Sequence, residues 1–490
     1  MTIAETRYGR VRGAEIADGI INWRGVPYAR PPVGGLRFRP PEPPEPWSGV
    51  RDALEYGNRA PQGELGPSAP GAPPTDEDCL YLNVTAPAGA SGRPVLFWLH
   101  GGGYETGDAT QAVGDGVVFA RSHALVVVTI NYRLGALGFL DVPGESPTGA
   151  AGLHDQIAAL RWTRENIAAF GGDPDQITVY GLSAGGKSVT NLLASPLAAG
   201  MIARAAESSG GDHVKDPAQA EALTGRFLRE LGGTADQLRS VPAADILHAQ
   251  LGVAAMPRST WIWRPSVDGV ALTDRPLDAI AAGSAAGVPL LLQTCARECA
   301  LYALLAPDGP RQADRVLTGY FGQQAAAQIL AAYAGVFPDL GADAVRTIVW
   351  TDERYVIRTE RLADAQARHA PVWRSRYDGP YSGLDDDPDP SFAQYAPQLV
   401  AGHGGDAADI WQGGSDLSAA LHNAWGAFAA TGDPGWAPYP WAPDLKAARP
   451  TMIFTPDGPG IKAEPFAATD AIWSGRTWQP GPWWAIDGVT

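Results

Sequence analysis

Lysine is almost missing from this chain of 490 residues. It occurs only at Lys187, Lys215, Lys446 and Lys462, and arginine supplies the rest of the 37 basic side chains. Against 53 acidic residues the net charge is -16. Such a field repels phosphate backbones and argues against nucleic acid as a partner. Cysteine is as scarce. Cys79, Cys295 and Cys299 are too few for a disulfide framework. The C-x-x-x-C spacing of the last two matches no common metal or redox motif, so all three read as packing thiols. No apolar run reaches the roughly 18 residues that a membrane helix needs. Met1–Glu15 has no apolar segment of the secretory kind. A soluble, cytoplasmic protein without a membrane partner is expected. Charged residues make up 18% and hydrophobic ones 45%, which excludes disorder throughout and provides for a large core.

Short continuous apolar runs stand at Val95–Leu99, Leu125–Ile130, Ile177–Tyr180 and Val288–Leu292, and Val372–Tyr377 is expected as a fifth strand. Without polar alternation they predict strands buried on both faces, hence a mainly parallel sheet. Between the second and third runs, Leu153, Ile157, Leu160 and Ile167 recur on one helical face, and Gly171–Gly172 end it. This alternation of strand and helix predicts an α/β fold. No repeat or low-complexity linker divides the chain, so residues 1–490 are expected to form a single domain. Helical stretches near 214–260 and 310–368 are expected as caps over the sheet. Pro61–Pro74 and Gly379–Pro390 read as ordered loops. The second contains Asp385–Asp387, which lacks the ligand spacing of an EF-hand and reads as a solvated loop.

Residues 181–188, GLSAGGKS, satisfy two chemical patterns at once. As G-x-S-x-G they form a nucleophile elbow, a tight strand-to-helix turn in which Gly181 and Gly185 leave room to expose Ser183. As G-x-x-x-x-G-K-S they form a phosphate loop, with Lys187 and Ser188 aimed at phosphate and magnesium. A phosphate loop also needs a strand ending in an acidic residue to hold the magnesium. The apolar runs end instead in His100, Asn131, Gly181 and Gln293. A serine hydrolase needs an oxyanion hole, an acid and a histidine, and each has a candidate. His100-Gly101-Gly102-Gly103 follows a buried run. The backbone N–H groups of Gly102, Gly103 and Ala184 would serve as oxyanion donors, since side chains there would block the approach. Three histidines, His369, His403 and His422, follow the fourth run. His422 lies beside the apolar stripe Leu417, Leu421, Ala424, Trp425 and Phe428, and His369 reads as surface. His403 sits in a glycine-rich loop suited to presenting a side chain. Glu298 is the one carboxylate in Gln293–Pro307, with a surface glutamate as the competing reading.

These motifs together resemble the type-B carboxylesterase and cholinesterase-like family of α/β hydrolases. Phe170-Gly171-Gly172 with Ile177, Val179, Gly181, Ser183, Ala184 and Gly185 resembles its serine signature. Residues 77–84 (EDCLYLNV) resemble its second signature. Gly25–Pro32 and Asn131-Tyr132-Arg133 resemble two further motifs. The resemblance implies an α/β-hydrolase fold with the site in a gorge. It also implies Glu298 as the acid, His403 as the base, and Ser209 as a serine that helps orient the acid. Departures are informative. Leu182 stands where the family often has glutamate, which makes the site more apolar. Cys299 replaces a common glycine after the acid. No tryptophan lies between Trp47 and Asp78 to face a choline group. The cysteine that pairs with the position of Cys79 in secreted relatives is missing, which fits a reducing compartment.

The expectation is a serine carboxylesterase working through an acyl-enzyme on small-molecule esters, uncharged apolar or aryl ones, with no metal or cofactor. Trp261 and Trp263 are placed to face the gorge or to pack. A non-catalytic binding protein on the same fold is the alternative, and an NTPase built on the overlapping GLSAGGKS pattern is the third. The sequence leaves oligomeric state open.

Overall fold

The computed structural model describes residues 1–63, 72–111, 116–254, 262–305, 309–381, 400–441 and 449–478. Trp261, Asp385–Asp387 and much of the loops at 61–74 and 379–390 lie outside the described residues. Among the described residues thirteen strands join in one sheet. They are β1 (Thr2–Thr6), β2 (Gly9–Ala17), β3 (Ile20–Pro27), β4 (Val50–Asp52), β5 (Tyr81–Pro87), β6 (Arg93–Leu99) and β7 (Val126–Ile130), followed by β8 (Gly172–Leu182), β9 (Arg204–Ser208), β10 (Leu290–Cys295), β11 (Val372–Tyr377), β12 (Thr451–Thr455) and β13 (Gly458–Lys462). The order is β1-β2-β3-β5-β7-β6-β8-β9-β10-β11-β12-β13, with β4 paired to β2.

From β7 through β12 every neighbouring pair is parallel. Both flanks are antiparallel apart from β4, which runs parallel to β2. The expected parallel sheet is therefore its centre, extended at each side by strands that the apolar runs did not mark. The period of two explains why the centre is buried on both faces. Val95, Phe97 and Leu99 of β6 pack with Leu153, Ile157 and Leu160 of the helix Ala151–Asn166 and with Val189 and Leu192 of the helix Ala184–Ala194. Leu96 and Trp98 point the other way, onto Leu417, Leu421, Trp425 and Phe428 of the helix Asp416–Thr431. The helix Asp416–Thr431 carries the predicted stripe. His422 within it is buried, bonded to Ser122 Oγ at 2.8 Å and Ile410 O at 2.8 Å.

The fourth strand is shifted from its predicted place. It spans Leu290–Cys295, because Val288 closes a turn onto the carbonyl of Ala285 at 3.1 Å and Pro289 has no N–H for the ladder. The stretches 214–260 and 310–368 are helix-rich as expected, with Pro217–Leu231, Ala243–Ala254, Gln312–Val336, Ala342–Thr351 and Ile357–Gln366. Trp263 is buried edge-on against Phe227, with ring centroids 5.8 Å apart, which makes it a packing residue. All three cysteines are free and buried. Among the described residues no helix is long and apolar enough to cross a membrane.

Candidate active site

Apart from His403, the sequence-selected site residues emerge beyond the carboxyl ends of parallel strands, where open α/β sheets form their crevices. Gly102 and Gly103 follow β6, Ser183 follows β8, Ser209 follows β9, and Glu298 follows β10. Ser183 occupies φ 58°, ψ -114°, a left-handed conformation that a serine adopts only under constraint. The constraint is close packing. A Cβ on Gly181 would lie 2.2 Å from the carbonyl carbon of Gly185, and one on Gly185 would lie 2.0 Å from the carbonyl oxygen of Leu99. Gly185→Ala therefore forces the helix off β6. It should cost about 3 kcal/mol of stability in urea denaturation, the scale of overpacking. Gly335, inside the helix Gln312–Val336 with open space around it, should gain roughly 0.5–1 kcal/mol from the same change.

The strand ends carry the side chains into one hydrogen-bonded line. Ser183 Oγ lies 2.8 Å from His403 Nε2, and His403 Nδ1 lies 2.6 Å from Glu298 Oε2. With Nδ1–H donating to the carboxylate, Nε2 is left to accept from the serine. Glu298 is fully buried, and its second oxygen accepts the Ser209 hydroxyl at 2.6 Å and the Cys295 N–H at 2.7 Å. Those two donors satisfy a carboxylate that burial would otherwise make costly. Ser209 itself has φ 54° and donates its N–H to Gln293 O at 2.8 Å. Cys299, the departure beside the acid, packs against Ala313, Trp350 and Tyr355 and leaves Glu298 in reach of His403.

Gly102 and Gly103 have φ of 98° and 65°, and a Cβ on Gly102 would lie 2.1 Å from Thr106 O. Gly101 borders the elbow: its Cβ would stand 3.4 Å from Ser183 Cβ. Among the described residues nothing accepts from the N–H groups of Gly102, Gly103 or Ala184. They are three amides free to meet developing negative charge. The phosphate-loop residues have other engagements. Ser188 Oγ bonds Gln156, Tyr104 and Ala184, and the Lys187 ammonium rests over the Tyr355 ring. Among the described residues no group of three or more His, Cys, Asp or Glu side chains is placed to hold a metal ion.

Sequence reasoning missed three contributors. Asp406 is fully buried and accepts from Ser208 Oγ and, at 2.5 Å, from Gln293 Nε2, tying the His403 loop to the ends of β9 and β10. Burial raises its pKa above the ordinary aspartate range. An acid three residues past the loop histidine was the available signal. Tyr302 and Tyr355 flank the His403 ring with centroids at 5.3 and 4.9 Å, and their hydroxyls bond at 2.8 Å. No spacing in the sequence announces them.

A family model for the carboxylesterase family matches residues 1–473. The chain belongs to the carboxylesterase family. It is 36% identical over 471 residues to the para-nitrobenzyl esterase of Bacillus subtilis (strain 168), covering 92% of this chain and 94% of that protein. It is 33% identical to the phenmedipham hydrolase of Pseudarthrobacter oxydans, over 96% and 98% of the two chains. A solved carboxylesterase of Geobacillus stearothermophilus superposes with a TM-score of 0.81 at 34% identity, covering 97% of this chain and all of that one. The fold is the α/β-hydrolase fold, and this carboxylesterase is a serine carboxylic-ester hydrolase acting on small-molecule esters.

Proposed function

We propose that Ser183, His403 and Glu298 are the catalytic triad of this esterase, with Gly102, Gly103 and Ala184 as oxyanion donors and Ser209 as a positioning residue for the acid. The unbroken line of hydrogen bonds from Ser183 Oγ through His403 to Glu298 carries this assignment. His403 takes the serine proton as Oγ attacks the ester carbonyl. The three amides stabilise the oxyanion, each worth about 2.7–4 kcal/mol in comparable enzymes. His403 then protonates the departing alcohol, and water activated by the same imidazole releases the acid. Glu298 holds the tautomer and stabilises the imidazolium. No step of this sequence calls on a metal or cofactor.

The aromatic side formed by Tyr302 and Tyr355 suits apolar and aryl groups of the ester. We further propose one α/β-hydrolase domain, with the helical stretches near 214–260 and 310–368 as caps, and a cytoplasmic location, which the three unpaired buried thiols favour. An acyl-enzyme is tested by partitioning. With hydroxylamine present, esters that share an acyl group should yield one ratio of hydroxamate to acid whatever their alcohol. A ratio that varies with the alcohol contradicts a common intermediate.

A further inference from the structure

The residues 181–188 that read both as an elbow and as a phosphate loop end in Ser188, and the proposed triad leaves that serine unused. Ser188 is fully buried, one helical turn beyond Ala184. Its Oγ accepts from Gln156 Nε2 at 2.9 Å, donates to Ala184 O at 3.0 Å, and stands 3.1 Å from Tyr104 Oη. Asn191 Nδ2, on the same helix, approaches that phenol oxygen at 3.4 Å. Tyr104 directly follows Gly102-Gly103. The Ser188 hydroxyl is thus where the glycine loop meets the helix that Ser183 caps.

Each oxyanion amide is aimed by its own surroundings. The Gly102 N–H shares a peptide with Gly101 O, which lies 2.8 Å from His100 Nδ1, so that ring nitrogen carries the hydrogen. The Gly103 N–H shares one with Gly102 O, which accepts the N–H groups of Glu105 and Thr106, both at 3.0 Å. The Ala184 N–H shares one with Ser183 O, which accepts the Lys187 N–H at 2.9 Å. A carbonyl that accepts on one side polarises the N–H on the other, so all three donors are strengthened. These contacts orient single peptides. They do not fix the distance between the two carriers, the loop 101–104 and the start of the helix Ala184–Ala194.

Tyr104 spans that gap. It holds φ 63°, a left-handed conformation that a tyrosine keeps only where its surroundings impose it. Its carbonyl accepts the Gly135 N–H at 2.6 Å, its ring meets Phe139 edge-on at 4.9 Å, and its hydroxyl reaches Ser188. Tyr104 and Ser188 are both buried, where a hydroxyl without a partner is costly, so their contact resists stretching.

We propose that Tyr104 and Ser188 are positioning residues of the oxyanion hole. Their hydroxyl contact sets the separation between the Gly102 and Gly103 amides on the loop and the Ala184 amide and Ser183 Oγ at the helix start. The proposal rests on those three amides as oxyanion donors. Its effect falls on the tetrahedral state, whose oxyanion must reach donors on both carriers at once, and not on the bound ester.

Two hydroxyl deletions test it. The substrate is p-nitrophenyl hexanoate, and rates are taken per Ser183 titrated by a fluorophosphonate, so that misfolded protein does not enter. Tyr104→Phe keeps the ring on Phe139 and the other two bonds of Ser188. Ser188→Ala removes the opposite hydroxyl. Each should lower kcat about tenfold with KM unchanged, as expected when one buried hydrogen bond gives way. The double variant should lose no more than either single one, since both deletions break the same contact. Binding of 1,1,1-trifluorooctan-2-one, which Ser183 converts to a hemiketal oxyanion, should weaken by the same factor as kcat/KM. A merely structural role would lower the melting temperature and leave kcat per titrated site and ketone binding unchanged. That result overturns the proposal, as do losses that add in the double variant or appear in KM alone. If Ser188→Ala yields no folded protein, Tyr104→Phe decides by kcat and ketone binding. Failure of both to fold makes the contact a determinant of stability and also overturns the proposal. Octan-2-one separates this proposal from the one beneath it. If the wild-type enzyme binds the trifluoroketone no better than octan-2-one, the donor assignment falls and this proposal with it. A strong preference that Tyr104→Phe leaves intact defeats this proposal alone.

Discussion

Ser183→Ala and His403→Ala should each lower kcat about a million-fold, and the double variant should lose no more than either single one. The reason is geometric. Ser183 Oγ and His403 Nε2, 2.8 Å apart, act as one unit, because the hydroxyl is a weak nucleophile until the imidazole takes its proton. Removing either partner removes the same step. A residual rate above the uncatalysed one, roughly 10³–10⁴-fold, should remain from the oxyanion donors and substrate binding. The alanine at 183 adopts φ 58° with more difficulty than glycine would, so Ser183→Gly is the companion variant, with the same loss of kcat and less strain. Losses that add across the two sites would indicate independent roles and contradict the line of hydrogen bonds.

Glu298→Gln should lower kcat by about 10⁴-fold with little change in KM or in thermal stability. The carboxamide oxygen can keep the Ser209 and Cys295 donors, which both reach Glu298 Oε1. Its NH2 then faces His403 Nδ1, where the carboxylate accepts at 2.6 Å. Nδ1 becomes the acceptor, Nε2 carries the hydrogen, and the ring presents a donor where Ser183 needs an acceptor. The fold survives and the tautomer is wrong. Steady-state kinetics together with a melting curve separate this outcome from a folding defect. A fall in kcat of less than tenfold would remove Glu298 from the proposed triad.

The parallel centre of the sheet was legible because its strands are apolar on both faces, as Val95–Leu99 and Val126–Ile130 show. β9 was not. Its sequence, RAAES, ends in Glu207 and Ser208, which are fully buried through polar contacts with Thr190 and Asp406 and so break the apolar pattern. The antiparallel flank was missed although Val11 and Gly13 of β2 alternate with outward-facing arginines, a signal weakened by the bulge near Glu15. Ser183 was legible because its turn demands small neighbours, and Gly181 and Gly185 supply them. His403 stood out from His369 and His422 by its glycine-rich loop, whereas Glu298 needed the family resemblance to rise above the reading of a surface glutamate. Lys187 was visible only as part of a phosphate-loop pattern. Its actual surroundings, Tyr355, Arg354 and His213, come from distant parts of the chain and meet only when the sheet has formed.

Fluorophosphonate labelling followed by peptide mapping bears most directly on the central assignment. One phosphonyl group per chain on Ser183, lost in His403→Ala, is the expected result. Stable labelling at another serine, with Ser183 unmodified and ester turnover abolished, would contradict it.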